Sequence, residues 1–215
     1  MDISTYKHII WDWNGTLIDD VWLCVEIVNE LLFRRNKEPI ILQQYRQRYD
    51  LPVKNFYEKV GFDFSEGSFE KIGAEFLKIY QSRQYECTLQ NGAVEMLNFF
   101  EQAGLFQSVL SAYQKNRLQQ ALEHFGIQHY FTHICGRIDD FATGKIDNAN
   151  DLIREFHCPA EKVLLIGDTV HDFKVAEKTG VDCILLSIGH HTPERLQSCN
   201  VPVVDSLANI MELLT

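Results

Sequence analysis

The chain has little that would take it away from ordinary globular chemistry. It has no run of 18 apolar residues, so no membrane-spanning helix is expected. Basic residues are outnumbered, 20 against 30 acids, for a net charge of −10. A nucleic-acid partner would want a basic face, so none is expected, and a ligand that is itself an anion would need a local cationic spot. Cysteine is present but unorganised. Cys24, Cys87, Cys135, Cys158, Cys183 and Cys199 are scattered with no CxxC pair, which disfavours a zinc ribbon and reads as reduced packing residues. The N-terminal stretch reaches Asp12 too soon for a secretory signal and lacks a small-residue cleavage site, so the expected location is cytoplasmic.

What is present is enough for a real core. Apolar residues make up 46% and charged residues 23% of 215. A chain of this size buries about 70% of its unfolded surface by general scaling, without help from disulfides.

Short apolar runs alternate with helical patterns, the signature of a parallel sheet built from βα units. Strands are predicted over Tyr6–Trp11, Gln107–Leu110, His133–Cys135, Val163–Ile166 and Cys183–Leu186, with an edge strand at Val201–Val204 marked by Pro202. Helices are predicted over Asn91–Ala103, Asn116–Phe125, Asp147–Phe156, Asp172–Thr179 and Ser206–Leu214. The segment from Ile18 to Cys87 breaks this alternation. Val21, Cys24, Val25, Val28, Leu31 and Leu32 form one helical stripe, and Phe69, Ile72, Phe76, Ile79 and Tyr80 form another. Between them Leu42–Val60 is polar and basic. The expected architecture is therefore α/β: a doubly wound parallel sheet, residues 1–17 and 88–215, with residues 18–87 inserted as a helical cap.

Polar groups gather where strands end, the usual ligand-binding edge of open α/β sheets. Asp12 follows the first strand in Asp12-Trp13-Asn14-Gly15-Thr16-Leu17; an Asn-Gly turn with Asp12 as a cap is the plainer reading of that segment. Asp168 and Asp172 stand four apart after a second strand, in Gly167-Asp168-Thr169-Val170-His171-Asp172. Oxygen-rich, sulfur-free clusters favour Mg²⁺; the alternative is that Asp172, or less readily Asp168, caps the next helix. Ser111 follows a third strand, and Lys145 stands in Thr143-Gly144-Lys145; alone, these read as a turn residue and a solvated charge.

Taken in order, the four segments IIWDWNGTL, VLSAY, ATGKI and LLIGDTVHD resemble the motifs of the haloacid dehalogenase superfamily, in particular its phosphoglycolate-phosphatase-like members with a helical cap. The resemblance implies a Rossmann-like core and a phosphoric monoester hydrolase acting on a small phosphorylated metabolite. It implies that Asp12 is the nucleophile, forming an aspartyl-phosphate. It implies that Mg²⁺ is held by Asp12, the Asn14 backbone carbonyl and Asp168, with Asp172 in support. Ser111, the neighbouring Ala112 N–H and Thr16 would bind the phosphoryl group, and Lys145 would neutralise charge between it and Asp12. It further implies that the strands of the first and fourth motifs lie side by side.

Asn14 departs from the family pattern. The position is aspartate in the phosphatases, where it protonates the leaving alkoxide and activates water. An amide cannot exchange a proton at pH 7. General acid–base help contributes about 10²–10⁴-fold. The metal clamp, using only a backbone carbonyl here, is expected to survive. The departure leaves several readings: a weak phosphatase, one for acyl or enol phosphates, or one with another acid, His171 or a cap residue. A phosphonoacetaldehyde hydrolase would use a cap lysine, for which Lys54 and Lys59 are the candidates. A two-haloacid dehalogenase is disfavoured by the intact GDTVHD. A catalytically weak protein that binds a phosphorylated ligand is the remaining class. Trp13 is expected to pack at the cap–core boundary, His190-His191-Thr192-Pro193 to be a surface turn opening a helix, and Arg34, Arg35, Arg46 and Arg48 to be solvated.

Overall fold

The architecture follows from strands that are apolar on both faces. In the computed structural model, which describes residues 1–64, 69–137 and 145–215, His8–Trp11 (β1) is buried at every position. Its side chains alternate: Ile9 and Trp11 join one apolar cluster, and Ile10 joins the other. A strand covered on both sides needs helices on both sides, and the chain supplies them.

After β1 come Ile18–Asp19 (β2) and four helices: Val21–Phe33 (α1), Leu42–Arg48 (α2), Val53–Lys59 (α3) and Phe69–Arg83 (α4). Thr88–Leu89 (β3) then pairs antiparallel with β2, so the two ends of the helical segment are zipped together. Ala93–Gln102 (α5), Phe106–Gln114 (β4), Lys115–His124 (α6), His133–Arg137 (β5) and Lys145–Glu155 (α7) follow. The chain finishes with Val163–Gly167 (β6), Val170–Thr179 (α8), Asp182–Leu186 (β7), Pro193–Gln197 (α9), Val203–Val204 (β8) and Leu207–Leu214 (α10).

The large sheet has the order β5-β4-β1-β6-β7-β8, with every pairing parallel. From β1 the chain winds first to β4 and β5 on one side, then to β6, β7 and β8 on the other. The first and fourth motif strands, β1 and β6, are neighbours as the resemblance implied, and β8 is an edge. One face packs on α5, α6 and α10 through Met96, Leu97, Phe100, Leu118, Leu122, Leu207 and Ile210. The other packs on α7, α8 and α9 through Ala149, Leu152, Val175, Ala176 and Leu196. Among the described residues no helix is long and apolar enough to cross a membrane. All six cysteines are free thiols.

Four expectations are corrected by tertiary contacts. The 42–60 stretch is not simply polar: Tyr45, Phe56 and Tyr57 are buried on α2 and α3. Arg46 is not solvated, because its guanidinium donates to the Ile188 carbonyl, and Arg35 pairs with Glu75. His190 and His191 are buried rather than set on a surface turn, although Thr192 and Pro193 do open α9. The strand carrying Ser111 continues through it to Gln114, with an irregularity between Leu110 and Gln114. Trp13 is only 1% exposed, with its ring 6.0 Å from that of Phe125.

Candidate active site

The sheet register sets the spacing of the site. Trp11 pairs with Ile166, and the Asp12 N–H donates to the Ile166 carbonyl at 2.9 Å. Asp12 therefore leaves β1 beside the point where β6 ends, and Asp168 lies one residue beyond that strand. Gly15, at φ +75°, turns the chain back so that Thr16 faces both carboxylates. The Thr16 hydroxyl lies 3.3 Å from Asp12 Oδ2 and 3.1 Å from Asp168 Oδ1.

Asp172 takes part in capping the next helix, one of the two readings offered by the sequence. It closes a capping box on α8, accepting from Thr169 N–H at 3.0 Å and Thr169 Oγ1 at 2.6 Å. Its other oxygen takes Lys145 Nζ at 2.6 Å. The same ammonium also contacts Asp12 Oδ1, so Lys145, the first residue of α7, bridges two carboxylates. Its motif partners Thr143 and Gly144 lie outside the described residues.

Asp12, Asp168 and Asp172 each bring an oxygen within 4.8 Å of the others. All three are buried. Burial pushes the Asp12 carboxyl up to about 6, outweighing the attraction of Lys145. Burial, with repulsion from Asp12 and Asp172, pushes Asp168 up to about 8. Burial opposes ionisation of Asp172 too, but Lys145 and Thr169 hold it down at about 2. Three carboxylates thus face one ammonium in a place water hardly reaches. The set is all oxygen, and its negative surplus suits a hard divalent cation. The turn after β1 forms its bridge with Ile18 N–H to Trp13 O and Gly15 N–H to Ile18 O, which leaves the Asn14 carbonyl unspent by that bridge. Cβ atoms at Gly15 or Gly189 would overlap the Asp168 carboxylate, so the backbone is closed tightly around it.

Ser111 is buried on β4, two residues beyond the partner of Trp11, and its Oγ accepts from Tyr113 N–H at 3.0 Å. Ala112 is exposed. His171 is half-buried. Lys54 and Lys59 are exposed; Lys54 lies over the Phe64 ring and Lys59 pairs with Asp50.

A second buried group was not singled out by sequence reasoning. Asp20, the residue before α1, is 0% exposed. It accepts from Gly15 N–H at 2.9 Å, Asn14 Nδ2 at 2.7 Å and Tyr80 Oη at 2.7 Å. His190, with the Asn14 and Tyr80 contacts, holds its carboxyl below the usual range despite burial. His190 Nε2 lies 3.5 Å from Asp20 Oδ1, an ion-pair contact and not a hydrogen bond. The His190 ring is fixed by Tyr45 Oη at Nδ1, 2.9 Å away, and by Tyr49 stacked at 4.9 Å. Its backbone N–H donates to Asp168 Oδ2 at 2.5 Å. Asp20, and Tyr45 of α2, are in this way tied to the loop after β7, and Tyr80 of α4 to Asp20. The sequence signal was an aspartate six residues after Asn14.

The sequence profile of the haloacid dehalogenase-like hydrolase family matches residues 9–186, and the chain belongs to that family. Among its relatives is a phosphoglycolate phosphatase of Rhodobacter capsulatus, 25% identical over 191 residues, covering 85% of this chain and 84% of that protein. A 5'-nucleotidase of Pseudomonas aeruginosa is 25% identical over 195 residues, covering 90% and 88%. The tyrosine-protein kinase PtkA of Mycobacterium tuberculosis is 26% identical over 127 residues, which is 59% of this chain but only 44% of that relative. The solved PtkA structure superposes with a TM-score of 0.81 at 20% identity, covering 97% of this chain and 98% of that one, and shows a shared fold.

Proposed function

We propose that this protein is a Mg²⁺-dependent phosphatase of small phosphorylated metabolites, working through an aspartyl-phosphate on Asp12. The observation that carries the reading is the convergence on Asp12: Lys145 on one oxygen, Thr16 near the other, and Asp168 and Asp172 within 4.8 Å. The activities of the phosphoglycolate phosphatase and 5'-nucleotidase relatives support the substrate class.

The metal would be held by Asp12, Asp168 and the Asn14 carbonyl, with Asp172 in support. When bound, Mg²⁺ supplies charge neutralisation for the phosphoryl oxygens. Asp12 attacks phosphorus, the bond to the leaving oxygen breaks, and water then attacks phosphorus to release phosphate and restore the carboxylate. Lys145 keeps the Asp12 oxygen pair oriented and offsets charge as it builds. Thr16, Ser111 and the Ala112 N–H are the proposed donors to the phosphoryl group. Residues 18–87 serve as the cap and 1–17 with 88–215 as the core; the ties from Tyr45 and Arg46 to the loop after β7, and from Tyr80 to Asn14, would exclude water when closed.

The test is hydrolysis of an aryl phosphate and a panel of small phosphometabolites with and without Mg²⁺, beside Asp12→Ala. Turnover that needs Mg²⁺ and disappears in Asp12→Ala is expected. A protein that binds such compounds in Mg²⁺ but never turns one over would instead be a phospholigand-binding member of the family, the outcome that Asn14 favours as the alternative.

A further inference from the structure

The surroundings of Asn14 determine which end of its amide is available. Its Nδ2 lies 2.7 Å from Asp20 Oδ2 and 2.9 Å from Tyr80 Oη. A carboxylate can only accept. The Tyr80 hydroxyl gives its single proton to Asp20 Oδ2 at 2.7 Å, so toward Asn14 it too accepts. The amide nitrogen is therefore turned toward this acceptor pair. Flipping the amide would set its oxygen against a carboxylate, so the orientation is forced by the partners. Asp20 is itself fixed, its second oxygen taking Gly15 N–H at 2.9 Å and facing His190.

We infer that Asp20 and Tyr80 clasp the Asn14 nitrogen so that the residue offers the phosphoryl site no exchangeable proton, and that the substrates are phosphates whose leaving group departs without a proton: acyl, enol or aryl phosphates, or phosphoanhydrides. The inference rests on the phosphatase reading above and narrows its substrate class. Alkyl phosphates release a strongly basic alkoxide, which needs the proton an aspartate at position 14 would give. Here the carboxyl of this buried pair stands at 20 and the amide at 14. An aspartate at 14 would meet the Asp20 carboxylate at the distance where Nδ2 now sits. The free Oδ1 suits a different task, accepting a hydrogen bond from the water that attacks the phosphorylated Asp12. Asp20 and Tyr80 are positioning residues, acting on the reaction only through Asn14.

The test compares the wild type, Asn14→Asp, and the swapped pair Asn14→Asp with Asp20→Asn. Each is assayed in Mg²⁺ on aryl phosphates of graded leaving-group acidity and on one alkyl phosphate, and each is melted in EDTA. In the wild type, kcat/KM should climb steeply with leaving-group acidity. The swap should flatten that dependence and raise alkyl-phosphate turnover at least about tenfold, the low end below a restored general acid. Asn14→Asp alone should melt roughly 5 °C or more below both other proteins and gain less than the swap. A wild type that hydrolyses alkyl phosphates as readily as aryl ones overturns the proposal, and that arm needs no variant to fold. Equal melting and equal gain for Asn14→Asp and the swap would also overturn it. If the wild type turns over no phosphate at all, the phosphatase reading fails, and the substrate class with it; the melting comparison, made without metal, then still decides whether Asp20 dictates the amide at 14.

Discussion

At the scale of single residues the site is a problem in buried charge. Asp12, Asp168 and Asp172 face one lysine, and Asp168 is pushed up to about 8 because burial and its neighbours both oppose ionisation. Removing one partner of a buried charge cluster leaves the rest uncompensated, typically costing about 3–5 kcal/mol. Lys145→Met should therefore lose stability of that order in metal-free urea unfolding. Asp168→Asn should do the opposite: melt at or above the wild type in EDTA, yet lose the rise in Tm that Mg²⁺ gives the wild type. Asp12, Thr16, Asp168 and Asp172 were legible in the sequence because they stand just beyond strand ends, which converge by topology, whereas Lys145, which alone reads as a solvated charge, was picked out only by its place in the order of the four motifs. Asp20, Tyr45, Tyr80 and His190 were not legible. They meet Asn14 or one another only through packing of the helical segment on the β7–α9 loop, which no local pattern encodes.

At the scale of elements, the strands and helices of the sheet were read from continuous apolar runs and amphipathic stripes, and their ends moved by a few residues for local reasons. Ser206 caps α10 by accepting from Asn209 N–H at 3.3 Å, so that helix starts one residue later than its pattern suggests. The β2–β3 pair was missed because two-residue strands carry no period. The short helices α2 and α3 were hidden by glutamines and arginines around three buried aromatic rings. The strand-to-helix junction after β6 is the element on which the site depends most. Thr169 caps α8 and also donates to Asp172 at 2.6 Å. Thr169→Ala should cost about 1 kcal/mol, as other lost caps do, with Thr169→Ser restoring most of it in the same denaturant titration. A Cβ at Gly167 would collide with the Asp172 side chain, so Gly167→Ala should weaken Mg²⁺-induced stabilisation even where the fold survives.

At the scale of the whole molecule, the doubly wound order reverses at β1, and that reversal places the Asp12 turn between strands arriving from both halves of the chain. Two buried histidines link the fold to pH. His8 stacks on Phe156 at 3.5 Å and shares a hydrogen bond with Ser108, and burial depresses it to about 3. His191 Nδ1 accepts from Val170 N–H at 3.0 Å and must stay unprotonated there; burial takes it down to about 3 as well. Below the ordinary histidine value of 6.5, the unfolded chain binds protons that the folded chain refuses. Their contribution is complete above about 6.5 and is lost progressively as pH falls toward 3. Stability measured by denaturant should decline across that window, and His8→Gln should make the decline shallower.

The central claim is that Asp12 carries the phosphoryl group between substrate and water. Asn14 has no proton to exchange, so the attack of water should be slow and the phosphorylated enzyme should accumulate. The direct measurement is a rapid quench of the protein with an aryl phosphate and Mg²⁺, borohydride reduction of any acyl phosphate, and mass spectrometry of the peptide holding Asp12. The account predicts reduction confined to Asp12, appearing with the burst of released phenol and absent without Mg²⁺. Steady turnover with Asp12 left unmodified would contradict it.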